Sequence, residues 1–293
     1  MATLATETPL LVDCRYQLSD PQAGFQAYRQ GHIPGACYLS LSDDLSSPGP
    51  AQMGRHPLPS AVDFGHTLAT IGFAGDRPVI AYDDAGGQFA ARFWWLCKWA
   101  GFDHVALLDG GWQAWLAARG TVSNELQLSK VVVGPGQPGK GILIPQITTN
   151  DQLAVSAAEL SRALSDANCR LIDARAGVRY RGEQEPLDRL AGHIPGAINH
   201  PNGNNLDGQL RFLSAAQLAK QFQPVLGGWL PEKVIHSCGS GVTACHNLFA
   251  MELAGLTGSR LFAPSWSGWI AEPGNHYVQG DAGEEGELRR VDP

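Results

Sequence analysis

The feature that most constrains this chain is that it is written twice. RQGHIPGACYL at 29–39 returns as LAGHIPGAINH at 190–200, with GHIPGA unbroken in both. Upstream, LLVDCR (10–15) corresponds to RLIDAR (170–175). Downstream, RPVIAYD (77–83) corresponds to EKVIHSC (232–238), and LLDGGWQAW (107–115) to LFAPSWSGW (261–269). Spacing is kept as well as order: the Asp13-to-His32 and Asp173-to-His193 intervals differ by one residue, as do the Asp83-to-Trp112 and Cys238-to-Trp266 intervals. Four matches in register indicate a duplicated domain. A length of 293 residues suits two such domains, each able to bury its own core.

Within each copy, short apolar runs alternate with helix-like segments. LLVDC, RPVIAY, RLIDA and EKVIHS have the length of strands. SAAELSRALSD (156–166) and SAAQLAKQFQPVL (214–226) carry Leu and Ala at helical spacing behind a serine cap, with Glu159 completing a capping box on Ser156. TACHNLFAMELAGL (243–256) reads as a further helix, and GQFAARFWWLCKWAGF (87–102) as its counterpart in the first copy. This alternation predicts an α/β fold of two tandem domains, each a mostly parallel sheet flanked by helices. The first copy is expected over 1–130 and the second over 150–280. Between them, 131–149 contains the Gly- and Pro-rich GPGQPGKGILIPQ and reads as a linker; 281–293 reads as a polar, frayed tail.

Composition removes several classes of function. A net charge of −7 and the absence of a Lys/Arg cluster argue against a nucleic-acid partner. No apolar run is long enough to span a membrane. The start, MATLATETPLLVDCR, has neither the basic residues nor the apolar core of a signal peptide, so a cytoplasmic location is expected. The six cysteines (Cys14, Cys37, Cys97, Cys169, Cys238 and Cys245) form no CxxC pair and are expected to be free thiols. The histidines, including His236 and His246 beside one of these cysteines, lack ligand spacing. No metal or cofactor is expected.

One cysteine stands apart. A strand is expected to end near Ser237 and a helix to begin near Thr243, so Cys238-Gly239-Ser240-Gly241-Val242-Thr243 must turn sharply. The two glycines let the backbone curl with its N–H groups inward, and the helix amino terminus adds its positive end. Such a cradle favours a thiolate and stabilises an anion carried by the sulfur. The loop is similar to that of cysteine phosphatases, but their arginine position holds Ala244. Without the guanidinium fork phosphoryl transfer is disfavoured, whereas a persulfide held by backbone N–H groups suits the loop. The first copy has Asp83 in place of Cys238, so only the second copy can use this position for covalent catalysis. Asp13–Arg15 and Asp173–Arg175 occur in both copies and are expected to be architectural. His236 is expected to point into the sheet, and Phe93, Trp94, Trp95 and Trp99 to pack in a core.

The doubled domain, the paired GHIPGA motifs, the CGSGVT loop and the SWSGW segment resemble the tandem-domain rhodanese-family sulfurtransferases, which use thiosulfate or 3-mercaptopyruvate. The resemblance spans about residues 10–275. It implies ping-pong transfer of sulfane sulfur from a small anionic donor to Cys238, then to cyanide or a thiol acceptor such as a thioredoxin-like protein. The loop pair Gly239-Ser240, where thiosulfate-preferring members often carry a basic residue, tips the expectation slightly towards 3-mercaptopyruvate. A thiosulfate:cyanide sulfurtransferase and a non-catalytic sulfane-sulfur carrier remain open. The resemblance further implies an active-site loop of Gly239, Gly241, Val242 and Thr243. Ser240 and His56 (in GRHPLP) would assist carbon–sulfur cleavage, and Arg179 and Arg189 would bind the donor. Two departures stand out. The family's partner aspartate falls on Ser40, with Asp43 and Asp44 nearby, and its second arginine falls on Pro186, leaving Arg189 to substitute.

Overall fold

The computed structural model describes residues 8–75, 77–127, 144–281 and 287–292, and residues 131–143 of the expected linker lie outside this set. The chain divides into two units, Met1–Ser47 with Leu58–Asn150 and Pro48–Pro57 with Asp151–Pro293.

In the first unit, β1 (Leu10–Asp13), β2 (Cys37–Tyr38), β3 (Val79–Tyr82) and β4 (Val105–Leu107) form a parallel sheet in the order β2-β1-β3-β4. Its helices are α1 (Ala23–Gln30), α2 (Ala61–Thr70), α3 (Ala90–Trp99) and α4 (Gly111–Ala117). In the second, β5 (Arg170–Asp173), β6 (Ile198–Asn199), β7 (Val234–Ser237) and β8 (Arg260–Leu261) form a parallel sheet in the matching order β6-β5-β7-β8. Its helices are α5 (Ala157–Ser165), α6 (Gly177–Tyr180), α7 (Ala215–Leu226), α8 (Thr243–Leu253) and α9 (Ser265–Trp269). The sequence repeat is thus a repeat of topology.

The strands are short and apolar because both sheet faces are covered. In the second unit, Leu171 and Ile235 turn towards Leu160, Phe262 and Trp266, while Ile172 and Val234 turn towards Leu218, Phe222 and Met251. Leu218, Phe222 and Leu226 recur every fourth residue, which places them on one face of α7. Capping boxes start α5 (Ser156 with Glu159) and α7 (Ser214 with Gln217). In the first unit Phe93, Trp94, Trp95 and Trp99 of α3 are all buried.

The shared motifs build the same clamp twice. Asp13 pairs with Arg15, whose Nη2 donates to Gly31 O at 2.7 Å and whose guanidinium lies over Trp112. Asp173 pairs with Arg175, whose Nη2 donates to Gly192 O at 2.7 Å and which lies over Trp266. The hydroxyls of Tyr28 and Tyr180 donate to Ala36 O and Ala197 O inside each GHIPGA, and each tyrosine ring stacks on the motif's histidine. GHIPGA and its Asp–Arg pair are therefore fixtures of the fold.

Three segments depart from the sequence expectation. The tail is not frayed throughout: Glu287–Arg290 forms β10, antiparallel to β9 (His276–Gln279), and Val291 is buried in the second unit's core. Its polar side chains hid one apolar anchor and a backbone ladder. Pro48–Pro57, expected within the first copy, groups with the second unit. A Cβ at Gly54 would stand 2.5 Å from Pro264 O, and one at Gly268 would stand 2.6 Å from Gln52 O, so two backbones meet where only glycine fits. Residues 144–150, expected largely as linker, group with the first unit, where Asn150 N–H donates to Trp99 O at 2.8 Å. Among the described residues no helix is long and apolar enough to cross a membrane.

Candidate active site

β7 delivers Cys238 to the sheet's edge, and α8 begins five residues later. The turn between them closes through Gly241, whose φ of +76° is in the left-handed region and whose missing Cβ would stand 2.5 Å from Ala263 O. The N–H of Gly241 then points back to Cys238 Sγ at 3.1 Å. From below, Ser265 Oγ accepts the Cys238 N–H at 3.0 Å, donates to Phe262 O and stands 4.0 Å from Sγ. The N–H groups of Trp266 and Ser267 hold the carbonyls of Cys238 and Gly239, which locks the loop to α9. Val242 caps α8 and Thr243 opens it. Cys238 is only 2% exposed.

The first unit shows what this turn does with an anion. Asp83, at the position of Cys238, is buried, and its carboxylate accepts the N–H groups of Ala85, Gly87, Phe89 and Ala90 at 2.8–2.9 Å. There the cradle is filled by the chain's own oxygen atoms; in the second unit a sulfur takes that place. Position 265 diverges in step: its counterpart is Gly111, with a φ of +55°.

None of the six cysteines forms a disulfide. Burial pushes the Cys14 and Cys97 thiols well up and the Cys169 thiol up, which suits inert packing. His236 is fully buried in β7 with Nε2 against Met251 Sδ, and burial drives its pKa down to about 3, with His200 adding to the effect. His246 contacts Asn205 in a buried polar network that also holds His200 and Asn247. Among the described residues no cluster of His, Cys, Asp or Glu is arranged to hold a metal ion.

Polar side chains gather at Gly239 and Ser240. His56 Nδ1 and Ser240 Oγ are hydrogen-bonded at 2.8 Å, both buried or nearly so. The preceding residue, Arg55, anchors its N–H on Ser267 Oγ and pairs its guanidinium with Asp188. Arg179, on α6, is held by Glu185 at 2.6 Å and touches the other Asp188 oxygen at 3.3 Å; Glu185 also reaches Arg175. Arg189 donates to Ile270 O and lines, with Arg55, Asp188 and Ser267, a cavity of about 370 Å³. Ser40, at the expected aspartate position, is tied to Asp44 within the first unit.

The rhodanese-like domain description matches residues 2–118 and 156–272, most of each copy. The chain belongs to the rhodanese family. Among its rhodanese relatives, a Pseudomonas aeruginosa protein named "Probable 3-mercaptopyruvate sulfurtransferase" is 43% identical over 96% of this chain and 95% of its own. The thiosulfate sulfurtransferase of Rattus norvegicus is 30% identical over 88% of this chain and 84% of its own. Among solved rhodanese structures, the 3-mercaptopyruvate sulfurtransferase from Leishmania major superposes with a TM-score of 0.75 at 29% identity, covering 88% of this chain and 69% of that one.

Of the residues singled out in the rhodanese motifs, the structure brings His56 to Ser240 and sets Arg179 beside Gly239, while Arg189 lies in the adjoining cavity. Sequence reasoning missed Arg55, Asp188 and Ser265. Arg55 had one signal, its place directly before His56. Ser265 had another: the repeat aligns it with a glycine.

Proposed function

We propose that this protein is a sulfurtransferase that carries sulfane sulfur on Cys238, with 3-mercaptopyruvate favoured slightly over thiosulfate as donor. The observation that carries this reading is the turn holding the Cys238 sulfur, lined by the Gly241 N–H and the Ser265 hydroxyl, where the first unit's counterpart holds a carboxylate. Such a turn accepts a developing negative charge without reorganising.

With 3-mercaptopyruvate, the Cys238 thiolate attacks the donor sulfur and a new S–S bond forms. The carbon–sulfur bond breaks, and its electron pair goes to the methylene carbon. The proton that began on the donor sulfur ends on that carbon, so the products are a Cys238 persulfide and pyruvate. Ser240 and His56, hydrogen-bonded to each other, are the groups we assign to that proton's path. With thiosulfate the same attack releases sulfite. Cyanide then takes the outer sulfur as thiocyanate and returns the thiolate; a thiol acceptor, a thioredoxin-like protein included, would leave as a persulfide in the same way. Cysteines kept as thiols suit a reducing compartment, and we place the reaction in the cytoplasm.

Intact-protein mass spectrometry after exposure to donor tests this. A gain of about 32 Da on the wild-type protein, absent in C238S and reversed by cyanide, is expected for a persulfide. Turnover by C238S would sink the assignment. Steady-state rates with the two donors decide the preference.

A further inference from the structure

The edge of the first unit's sheet carries a cavity that the sulfur chemistry does not use. β2 is the edge strand, and its two residues face opposite sides of the sheet. Tyr38 turns towards α1, where its ring centroid lies 5.4 Å from that of Phe25 and 5.6 Å from that of Tyr28. Phe25 and Tyr28 are three residues apart on α1 and share one face. Cys37 turns the other way, and its thiol donates to Ile71 O at the end of α2 at 3.7 Å. The three rings, Cys37, Ile71 and Asp44 line a cavity of about 300 Å³ at this edge. Among the described residues its wall carries one charge, that of Asp44. Asp44 Oδ2 accepts the Ser40 N–H at 2.7 Å, and among the described residues Oδ1 has no partner. Burial pushes the Asp44 carboxyl above its ordinary value, with the Ser40 N–H opposing and Asp43 adding to the push. This carboxylate is short of positive charge. The second copy lacks the set: at the same offset Cys37, Tyr38 and Asp44 correspond to Ile198, Asn199 and Asn205, and Asn205 is bonded to His200, His246 and Asn247.

We propose that this cavity binds a small organic cation bearing a methylated ammonium group, with Asp44 as its counter-charge and the rings of Phe25, Tyr28 and Tyr38 as its wall. The lining selects against the other ligand classes. An anion would meet Asp44 without a compensating cation. An uncharged apolar molecule would desolvate that carboxylate further and give nothing in return. A hard metal ion requires several oxygen ligands, and one carboxylate among aromatic rings supplies too few. A primary ammonium brings three N–H donors, whereas the two tyrosine hydroxyls already donate to Ala36 O and Arg15 O, and that of Tyr28 also accepts the Gln127 N–H. A methylated ammonium makes no such demand. Its charge is spread over methyl groups, which aromatic rings attract through their quadrupoles and a carboxylate attracts directly.

Cys37 reports occupancy. Peptide-level mass spectrometry follows its alkylation by iodoacetamide in the full chain, with Cys169, also partly buried, as a control in the second unit. The probe is choline, and dimethylbutanol is its uncharged isostere. A fully protecting ligand slows alkylation by a factor of 1 + [L]/Kd, so choline at ten times its Kd should slow Cys37 roughly tenfold. Cys169 should be unaffected. Saturation-transfer NMR from the protein's aromatic protons to the choline methyl protons should report the same binding, in the millimolar range because cation–π contacts are individually weak. D44N removes the charge but keeps an acceptor for the Ser40 N–H, and F25A removes an exposed ring; both should fold and lose most of the protection. Wild type that shows neither protection nor transfer overturns the proposal. So does dimethylbutanol protecting as well as choline, or full protection surviving in D44N. Should D44N not fold, F25A and the isostere comparison decide. No sulfur donor enters these measurements, so their outcome stands apart from the sulfurtransferase reading.

Discussion

Ser265 has a φ of +53° and is fully buried, a conformation that costs a non-glycine residue about 1–2 kcal/mol, whereas its counterpart Gly111 adopts the same backbone freely. What the strain secures is a hydroxyl against the Cys238 N–H and near its sulfur. Two substitutions separate the terms. S265A keeps the strain and leaves a buried N–H without its acceptor, so it should destabilise the protein by about 1–3 kcal/mol. S265G loses the same hydroxyl but relieves the backbone, so it should unfold at higher urea than S265A; both should form persulfide more slowly. Equal urea midpoints for the two variants would show that the left-handed backbone carries no cost. At this scale, legibility followed locality. Cys238 was readable because strand, glycines and helix lie within a dozen residues. Arg55 was not, because its partner Asp188 is 133 positions away and no local pattern joins them.

The turn from β7 to α8 shows how unequal two glycines in one loop can be. At Gly239 an added methyl meets only the far ends of flexible arginines, whereas at Gly241 it would meet the Ala263 carbonyl at 2.5 Å in a left-handed backbone. G241A should therefore lose about 1–2 kcal/mol to the backbone alone and more to the clash. It should also displace the N–H that faces Cys238 Sγ, so donor-dependent persulfide formation should collapse in G241A and persist in G239A. Melting curves and intact mass check both halves; a G241A protein as stable and as readily persulfidated as wild type contradicts the geometry. The central strands and the capped helices α5 and α7 were legible because apolar runs and serine caps are local signals. β10 was not, since its register depends on pairing with β9 and on one buried residue, Val291. Nor was the allegiance of Pro48–Pro57, which is fixed by the close approach of Gly54 and Gly268 and leaves no periodic trace.

Across the whole molecule the two copies share a topology but differ in how they answer to acid. The second unit buries His193, His200 and His236 with pKa values lowered chiefly by burial, in the case of His236 to about 3 against an ordinary 6.5. The repeat aligns His236 with Ala81 and His200 with Leu39, so the first unit has no matching groups at those positions. Instead it holds Asp83, fully buried, and Asp44 and Asp84, partly buried, whose pKa values are raised, first by burial. The signs are opposite. A histidine with a depressed folded pKa contributes its full stability above pH 6.5 and loses it as pH falls towards 3, because the unfolded chain binds the proton first. A carboxyl with a raised folded pKa works the other way, favouring the folded state more as pH falls towards its unfolded value of 3.8. Acidification from neutral should therefore loosen the second unit while the first holds, with His236 alone contributing a slope approaching about 1.4 kcal/mol per pH unit once below its unfolded pKa. Hydrogen exchange corrected for intrinsic rates, followed from pH 7 to 4, should show peptides from β7 and α8 losing protection before those from β3 and α3. H236L, which replaces the ring with an apolar side chain between β7 and Met251, should flatten the second unit's pH slope and leave the first unit's unchanged. If the first unit opens first, or if H236L keeps the wild-type slope, the buried histidines do not set the acid limit of this protein.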